Sequence, residues 1–171
     1  MDIETRRLTL RPITPVDVDA VVSGKRQDSW ADDFPADGDM VIARLLQGIG
    51  VPAADAARYG HRVVVERSSS QIVGGIGFFG PPDDGALEIG YGIVASRRGR
   101  GYATEAVRAM VADALSSDDV EVVRAEVDLD NPASIVVLER NGLTRCAQTD
   151  ERATYEIRRR LATPDRDRPT R

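Results

Sequence analysis

Cysteine is almost missing from this chain. Cys146 stands alone, so no intrachain disulfide can form, and a lone thiol of this kind is expected to be a buried small hydrophobe. Histidine, tryptophan and lysine also occur once each, as His61, Trp30 and Lys25. His61 stands at the start of a strand pattern, and no metal-ligand spacing accompanies it, so no metal is expected. No apolar run approaches the roughly 20 residues that span a bilayer. Met1 to Arg11 is charged and lacks the apolar core of a signal peptide, so no membrane association and a cytoplasmic location are the expectations. Positive charge is not in excess: 28 acidic against 23 basic residues give a net charge of −5. That balance argues against a nucleic-acid partner. It suits a cationic substrate, and it is equally an ordinary charge for solubility.

What is present is enough for one compact domain, with 171 residues, 42% hydrophobic and 30% charged. Leu8 and Leu10 alternate with Arg7 and Arg11 as a first strand closed by Pro12. Thr14 caps a helix with Pro15 at its first position, running to about Arg26. Gln27 to Asp39 reads as an acidic loop, and Met40, Val41, Leu45 and Leu46 recur at helical spacing. Residues 51–59 carry no clear pattern. Strand patterns follow at 62–66, 72–79 and 87–94, then an amphipathic helix over 102–115 and a strand over 120–129. A helix from Asn131-Pro132 to Gly142 precedes a last pair of strands at 143–147 and 154–159. This order predicts an α+β fold around a mixed, mostly antiparallel central sheet flanked by helices. The domain is expected to span 1–162, with a polar, disordered tail at 163–171.

The strongest local signal is Arg98-Gly99-Arg100-Gly101-Tyr102-Ala103-Thr104, where a strand ends and a helix begins. Glycines allow close backbone approach. The first helical N–H groups lack intrahelical acceptors, and the helix dipole favours an anion there. Together with two arginines they make a pyrophosphate site. The residues after Gly101 are not the Lys-Ser/Thr of a Walker loop. Thr104 stands where a dinucleotide fingerprint needs glycine.

Arg98 to Ala103 resembles the R/Q-x-x-G-x-G/A motif of the GNAT acetyltransferase superfamily. The run from Glu88-Ile89-Gly90-Tyr91 to Glu105-Ala106, the block Asn131 to Leu143 and the opening Thr5 to Pro12 resemble its RimJ/RimL branch. The resemblance implies two strands splayed apart at an acetyl-CoA site. Backbone near Ile93 and Val94 would pair with pantetheine, and the segment Arg98, Gly99, Arg100, Gly101, Tyr102, Ala103, Thr104 would hold the pyrophosphate through its amides. Asn131 would contact the pantetheine arm, and it is also a good helix N-cap before Pro132.

The implied reaction is direct attack of a primary amine, on a small molecule or a protein N-terminus, on the acetyl thioester. Many relatives carry a tyrosine where this chain has Leu138, so Ser134 is the candidate donor to the leaving thiolate. Ser134 is equally an ordinary first-turn helix residue. Glu88 is the candidate base, because alternation puts it on the face of Gly90 and Gly92, which leave room beside it. Glu126 is a second candidate. Trp30 and Phe34, with Asp32 and Asp33, lie in the segment that walls the acceptor side in such proteins and suit a cationic amine. The resemblance also allows a homodimer. A non-catalytic CoA-binding module is the alternative, since a phosphate motif can persist without chemistry.

Overall fold

The computed structural model describes residues 1–51 and 56–159. The expected tail at 163–171 lies outside the described residues.

The strands are β1 (Ile3–Glu4), β2 (Leu8–Pro12), β3 (Arg62–Glu66), β4 (Gln71–Phe78), β5 (Ala86–Ile93), β6 (Val122–Asp128), β7 (Thr144–Gln148) and β8 (Arg152–Arg158). The helices are α1 (Pro15–Ser23), α2 (Asp37–Ile49), α3 (Tyr102–Leu115) and α4 (Pro132–Arg140). Among the described residues the strands form one open sheet in the order β1-β2-β3-β4-β5-β6-β8-β7. Every pairing is antiparallel except β5 with β6. The α+β architecture with a mixed central sheet is as the sequence predicted.

Local chemistry sets the helix limits. Thr14 and Asp17 form a capping box at the start of α1, and Gly24, left-handed at φ 68°, stops the helix short of Arg26. Inside the acidic segment 27–39, Trp30 forms a bridge to Ile72, and α2 already begins at Asp37.

The two faces of the sheet differ. Val64, Phe78, Leu87, Ile89, Val123 and Ala125 are buried in the core with the apolar side of α3. The opposite face carries Gly75 beside Gly92 and Gly77 beside Gly90. That glycine face is where α2 approaches, and the absence of side chains there leaves a cleft.

Candidate active site

β5 and β6 run side by side only over Ala86–Glu88 and Val122–Arg124, and then part. Beyond that point β5 continues to Ile93 against β4, while β6 continues to Asp128 against β8. Phe79 N–H donates to Glu88 O at 3.1 Å, and Val94 N–H donates to Val73 O at 2.9 Å. Because backbone groups alternate sides along a strand, Glu88, Gly90, Gly92 and Val94 turn to β4, and Ile89, Tyr91 and Ile93 turn to the gap. The gap is an unfilled strand position, suited to an extended ligand arm. Ile93, expected here, does face it, with its carbonyl accepting from Arg98 Nε at 3.0 Å. Val94 does not, since its N–H is already bonded to β4. Tyr91 takes that place. The sequence reading missed it because the phase of a ladder is a tertiary property.

At the end of the gap the chain enters α3 through Gly99 and Gly101, left-handed at φ 73° and 78°. The first helical bond runs from Glu105 N–H to Gly101 O at 3.1 Å, so the amides of Tyr102, Ala103 and Thr104 precede it and are free to meet a ligand. A Cβ placed on Gly99 would meet nothing within 4 Å, and one on Gly101 only Arg7 Nη2 at 3.5 Å. The cradle is therefore open, lies at the positive end of the α3 dipole, and has Arg98 and Arg100 exposed beside it.

Two carboxylates fix this cradle to the sheet, and neither was singled out from the sequence. Glu105 accepts from Thr5 Oγ1 at 2.7 Å, Arg7 N–H at 2.8 Å and Arg7 Nε at 2.7 Å. Burial works against its charge, but these donors outweigh it and hold the carboxyl below its ordinary range. Glu66 accepts from Ser69 Oγ at 2.6 Å, the Tyr102 hydroxyl at 2.5 Å and Arg97 Nε at 3.3 Å. The Tyr102 side chain is thus buried structure, and only its amide faces the cradle. In sequence, a glutamate closing a valine-rich strand and one in a first helical turn look like ordinary surface charges.

Where the gap narrows, Glu88, Tyr91, Glu126, Asn131, Ser134 and Leu138 line a pocket of about 240 Å³. Glu88 and Ser134, far apart in sequence, are brought to one place. Asn131 Oδ1 accepts from Ser134 N–H at 3.1 Å, capping α4. The Tyr91 hydroxyl donates to Ser134 O at 3.2 Å, and burial pushes it up to about 12. Glu126 pairs with Arg152 at 2.9 Å, which makes it the weaker base candidate. The room expected beside Glu88 is largely taken. The Phe79 ring, with Cζ 2.7 Å from where a Cβ on Gly90 would stand, covers that glycine and leaves only Gly92 open.

A larger cleft of about 600 Å³ opens on the glycine face between α1, α2 and β3–β5. Trp30 and Phe34 wall it edge to face, with ring centroids 5.1 Å apart, although both are buried. Asp32 and Asp33 do not join them, contrary to expectation. Asp32 is exposed and pairs with Arg26 at 3.3 Å. Asp33 accepts from Ser96 N–H at 2.8 Å and Oγ at 2.6 Å, bracing the turn into α3.

Three carboxylates line the cleft: Asp17, Asp128 and Asp39, the last from the first turn of α2. Asp39 Oδ2 accepts from Ala36 N–H at 3.0 Å, and burial raises its carboxyl to about 6. His61 lines the same cleft, packed over Gly77, and burial lowers its imidazole to about 4.

Cys146 is exposed rather than buried. It lies at a register shift in β7, an edge strand with no covering layer. Among the described residues no group of His, Cys, Asp or Glu is placed to hold a metal ion, and no helix is long and apolar enough to cross a membrane.

Residues 7–144 match the model of the acetyltransferase (GNAT) domain. The chain is 29% identical over 150 residues to the uncharacterised N-acetyltransferase YjdG of Bacillus subtilis (strain 168), covering 82% of this chain and 88% of that protein. Its fold matches that of RimL, an α-N-protein acetyltransferase of ribosomal protein solved with coenzyme A. The TM-score is 0.66 at 19% identity, over 92% of this chain and 98% of that one. It also matches a chimera of the spermidine N-acetyltransferase SpeG from Vibrio cholerae and hSSAT. There the TM-score is 0.64 at 14% identity, over 90% of this chain and 96% of that one.

Proposed function

Because the chain belongs to the GNAT acetyltransferase family and is thereby an acyltransferase, we propose that it transfers an acetyl group from acetyl-CoA to a primary amine by direct attack. One observation carries this reading. The backbone of Tyr91 and Ile93 faces an unfilled strand position whose far end is the open amide cradle of α3.

The residues present fit the cofactor. Gly99 and Gly101 leave free the space that side chains would fill, and Tyr102, Ala103 and Thr104 offer amides to a pyrophosphate. Tyr91 and Ile93 would align the pantetheine arm, with Asn131 at its side. Acetyl-CoA, when bound, supplies the activated acetyl thioester.

The chain's own residues handle the protons. An alkyl ammonium, with a pKa of roughly 10, must lose a proton before attack. Glu88 is solvent-connected, lines the pocket at the narrowing of the gap, and accepts that proton directly or through one water. Ser134 lines the same pocket, with its carbonyl held by Tyr91, and its hydroxyl serves the leaving thiolate. The acceptor enters from the larger cleft, where Trp30 and Phe34 give it an apolar wall.

RimL and the SpeG chimera bear names that point to a protein and to a polyamine, so the fold alone does not choose between acceptors. Thiol release from acetyl-CoA, measured beside N-terminal peptides and small amines, tests the reading. Acetylated product with at least one amine is the expected result. Acetyl-CoA binding without product on any amine would leave a CoA-binding module in its place.

A further inference from the structure

Four glycines of β4 and β5 lie on the face of the sheet that carries the larger cleft, and three are covered. Asp39 Oδ1 lies 2.7 Å from where a Cβ on Gly75 would stand, His61 packs over Gly77, and Phe79 covers Gly90. The fourth, Gly92, is bare: a Cβ there would meet nothing within 4 Å. Gly92 pairs with Gly75 and sits between Tyr91 and Ile93. The bare spot is therefore a socket with a carboxylate across the ladder, the Phe79 ring over the next glycine on its face, Gly90, and the gap-facing backbone on either side.

The other charged groups lining this cleft have partners, Arg62 through Nη1 only, since its buried Nε has none among the described residues. Asp17 binds Arg11 through both oxygens, each at 2.9 Å. Arg152 holds Glu126 and Asp128, each at 2.9 Å. Arg62 donates to the carbonyls of Met1 and Leu10 at 2.8 and 3.2 Å. His61, with its imidazole lowered to about 4, is neutral at physiological pH. Asp39 differs. Its Oδ2 caps Ala36, while Oδ1 has no hydrogen-bond partner among the described residues. Asp39 is half-buried, and a partly desolvated carboxylate without a counter-charge is costly. The raised carboxyl of Asp39 reflects that cost, and a cation beside Oδ1 would relieve it.

We propose that Asp39 is the acceptor-binding carboxylate of this protein. It pairs with a single ammonium seated over Gly92, and the cleft selects primary amines carried on an uncharged, apolar body. Trp30, Phe34, Val21 and Ile42 meet that body. A second ammonium, as in a polyamine, would be placed against these side chains with no free carboxylate to receive it. This inference rests on the acetyl-transfer reading for its chemistry, and on the cleft alone for binding.

Two variants test it. Asp39→Asn keeps the shape and an oxygen that can cap Ala36. Gly92→Ala puts a methyl into open space at a backbone conformation that L residues adopt, so the fold tolerates it. Phenethylamine, hexylamine, spermidine and a peptide with an apolar N-terminal residue serve as acceptors. Phenethylamine is also titrated by calorimetry onto the protein–CoA complex, where no transfer occurs. Each variant is expected to raise the KM for phenethylamine by about tenfold or more, the scale of a lost charge-assisted hydrogen bond. The kcat at saturating amine should change far less, and acetyl-CoA affinity should not change. Spermidine is expected to be the poorest acceptor. The peptide arm tells whether the apolar amine is free or an N-terminus.

A wild-type KM in folded Asp39→Asn, or spermidine as the preferred acceptor, overturns the proposal while acetyl transfer stands. If wild-type protein acetylates no amine, the transfer reading fails. The titration still decides Asp39: weaker phenethylamine binding in Asp39→Asn supports it, while equal binding, or none to wild type, overturns it.

Discussion

The proposed donor cradle and the proposed acceptor cleft lie on one sheet but are built from different materials. The cradle is main chain: the amides at the start of α3, the left-handed Gly99 and Gly101, and the gap-facing backbone of Tyr91 and Ile93. Side chains such as Glu66 and Glu105 only brace it. The cleft is the reverse. The sheet contributes bare glycines, and the chemistry arrives on side chains from elsewhere, Asp39 from α2, His61 from the edge of β3 and Phe79 from beyond β4. A backbone site suits a cofactor that many acceptors share, because amides do not change with sequence. A side-chain site can be altered one residue at a time.

The sharpest way to break this contrast is to fill the cradle. Gly101→Val puts a branched side chain at a φ of 78°, where only glycine is at ease. Acetyl-CoA affinity measured by calorimetry should fall by about a hundredfold or more, the scale of several lost charge-assisted hydrogen bonds. A folded Gly101→Val protein with unchanged affinity would remove the cradle from the donor site.

A smaller loss is expected from Glu105→Ala, which leaves the amides in place but cuts three contacts to Thr5 and Arg7. Denaturant unfolding should show a loss of about 2 kcal/mol, typical for removing a partly buried, multiply bonded carboxylate. Acetyl-CoA affinity should weaken along with it.

Side-chain chemistry should separate cleanly from cofactor binding. Glu88→Gln is expected to lower kcat by about tenfold or more while acetyl-CoA affinity is kept. The deficit should narrow as pH rises and more amine is neutral, so a flat ratio to wild type between about pH 6 and 9 would dismiss Glu88 as the base. Ser134→Ala should cost roughly tenfold, and less with an acyl donor whose thiol is more acidic. An equal loss with both donors would mean that substrate is displaced, not that a thiolate is left unserved.

The smallest effects concern stability and reveal the cleft's opposed charges. The Asp39 carboxyl is raised to about 6 in the fold, so its contribution is fully present below 3.8 and is lost as pH rises through 6. The His61 imidazole is lowered to about 4, so its contribution is present above 6.5 and is lost as pH falls through 4. In wild type the two slopes oppose each other between these limits. Asp39→Asn removes the Asp39 slope and leaves that of His61, so stability relative to wild type should fall by about 2 kcal/mol as pH drops from 6.5 to 4. Paired urea titrations across that window check the sign, and a pH-independent difference would mean that Asp39 is not buried as described.

How much of this was legible in the sequence follows from the same contrast. Thr14-Pro15 and Asn131-Pro132 are local signals that mark the starts of α1 and α4, and the glycines around Arg100 lie where the chain turns into α3. Glu88 and Ser134 were chosen separately and meet in one pocket. The misses are tertiary. Ile93 and Val94 are expected together at the gap, because nothing local in the sequence fixes which ladder bonds face it. Asp32 and Asp33 were given to the cleft by proximity to Trp30 and Phe34, yet one pairs with Arg26 and the other braces Ser96. Asp39 was read as part of a loop, because its importance depends on α2 laying it over Gly75. A lone thiol is usually buried, but Cys146 stands on β7, an exposed edge strand.

On the proposed reading, a backbone cradle for acetyl-CoA and a side-chain cleft for an amine work on one another across the end of β5. Mass-detected acetylation of phenethylamine in the presence of acetyl-CoA, run with wild type, Gly101→Val and Asp39→Asn, tests it most directly. The predicted result is product with wild type, a loss in Gly101→Val that excess acetyl-CoA reduces, and a loss in Asp39→Asn that excess amine reduces. Losses that respond to the wrong substrate, or no product with wild type at any amine concentration, would contradict it.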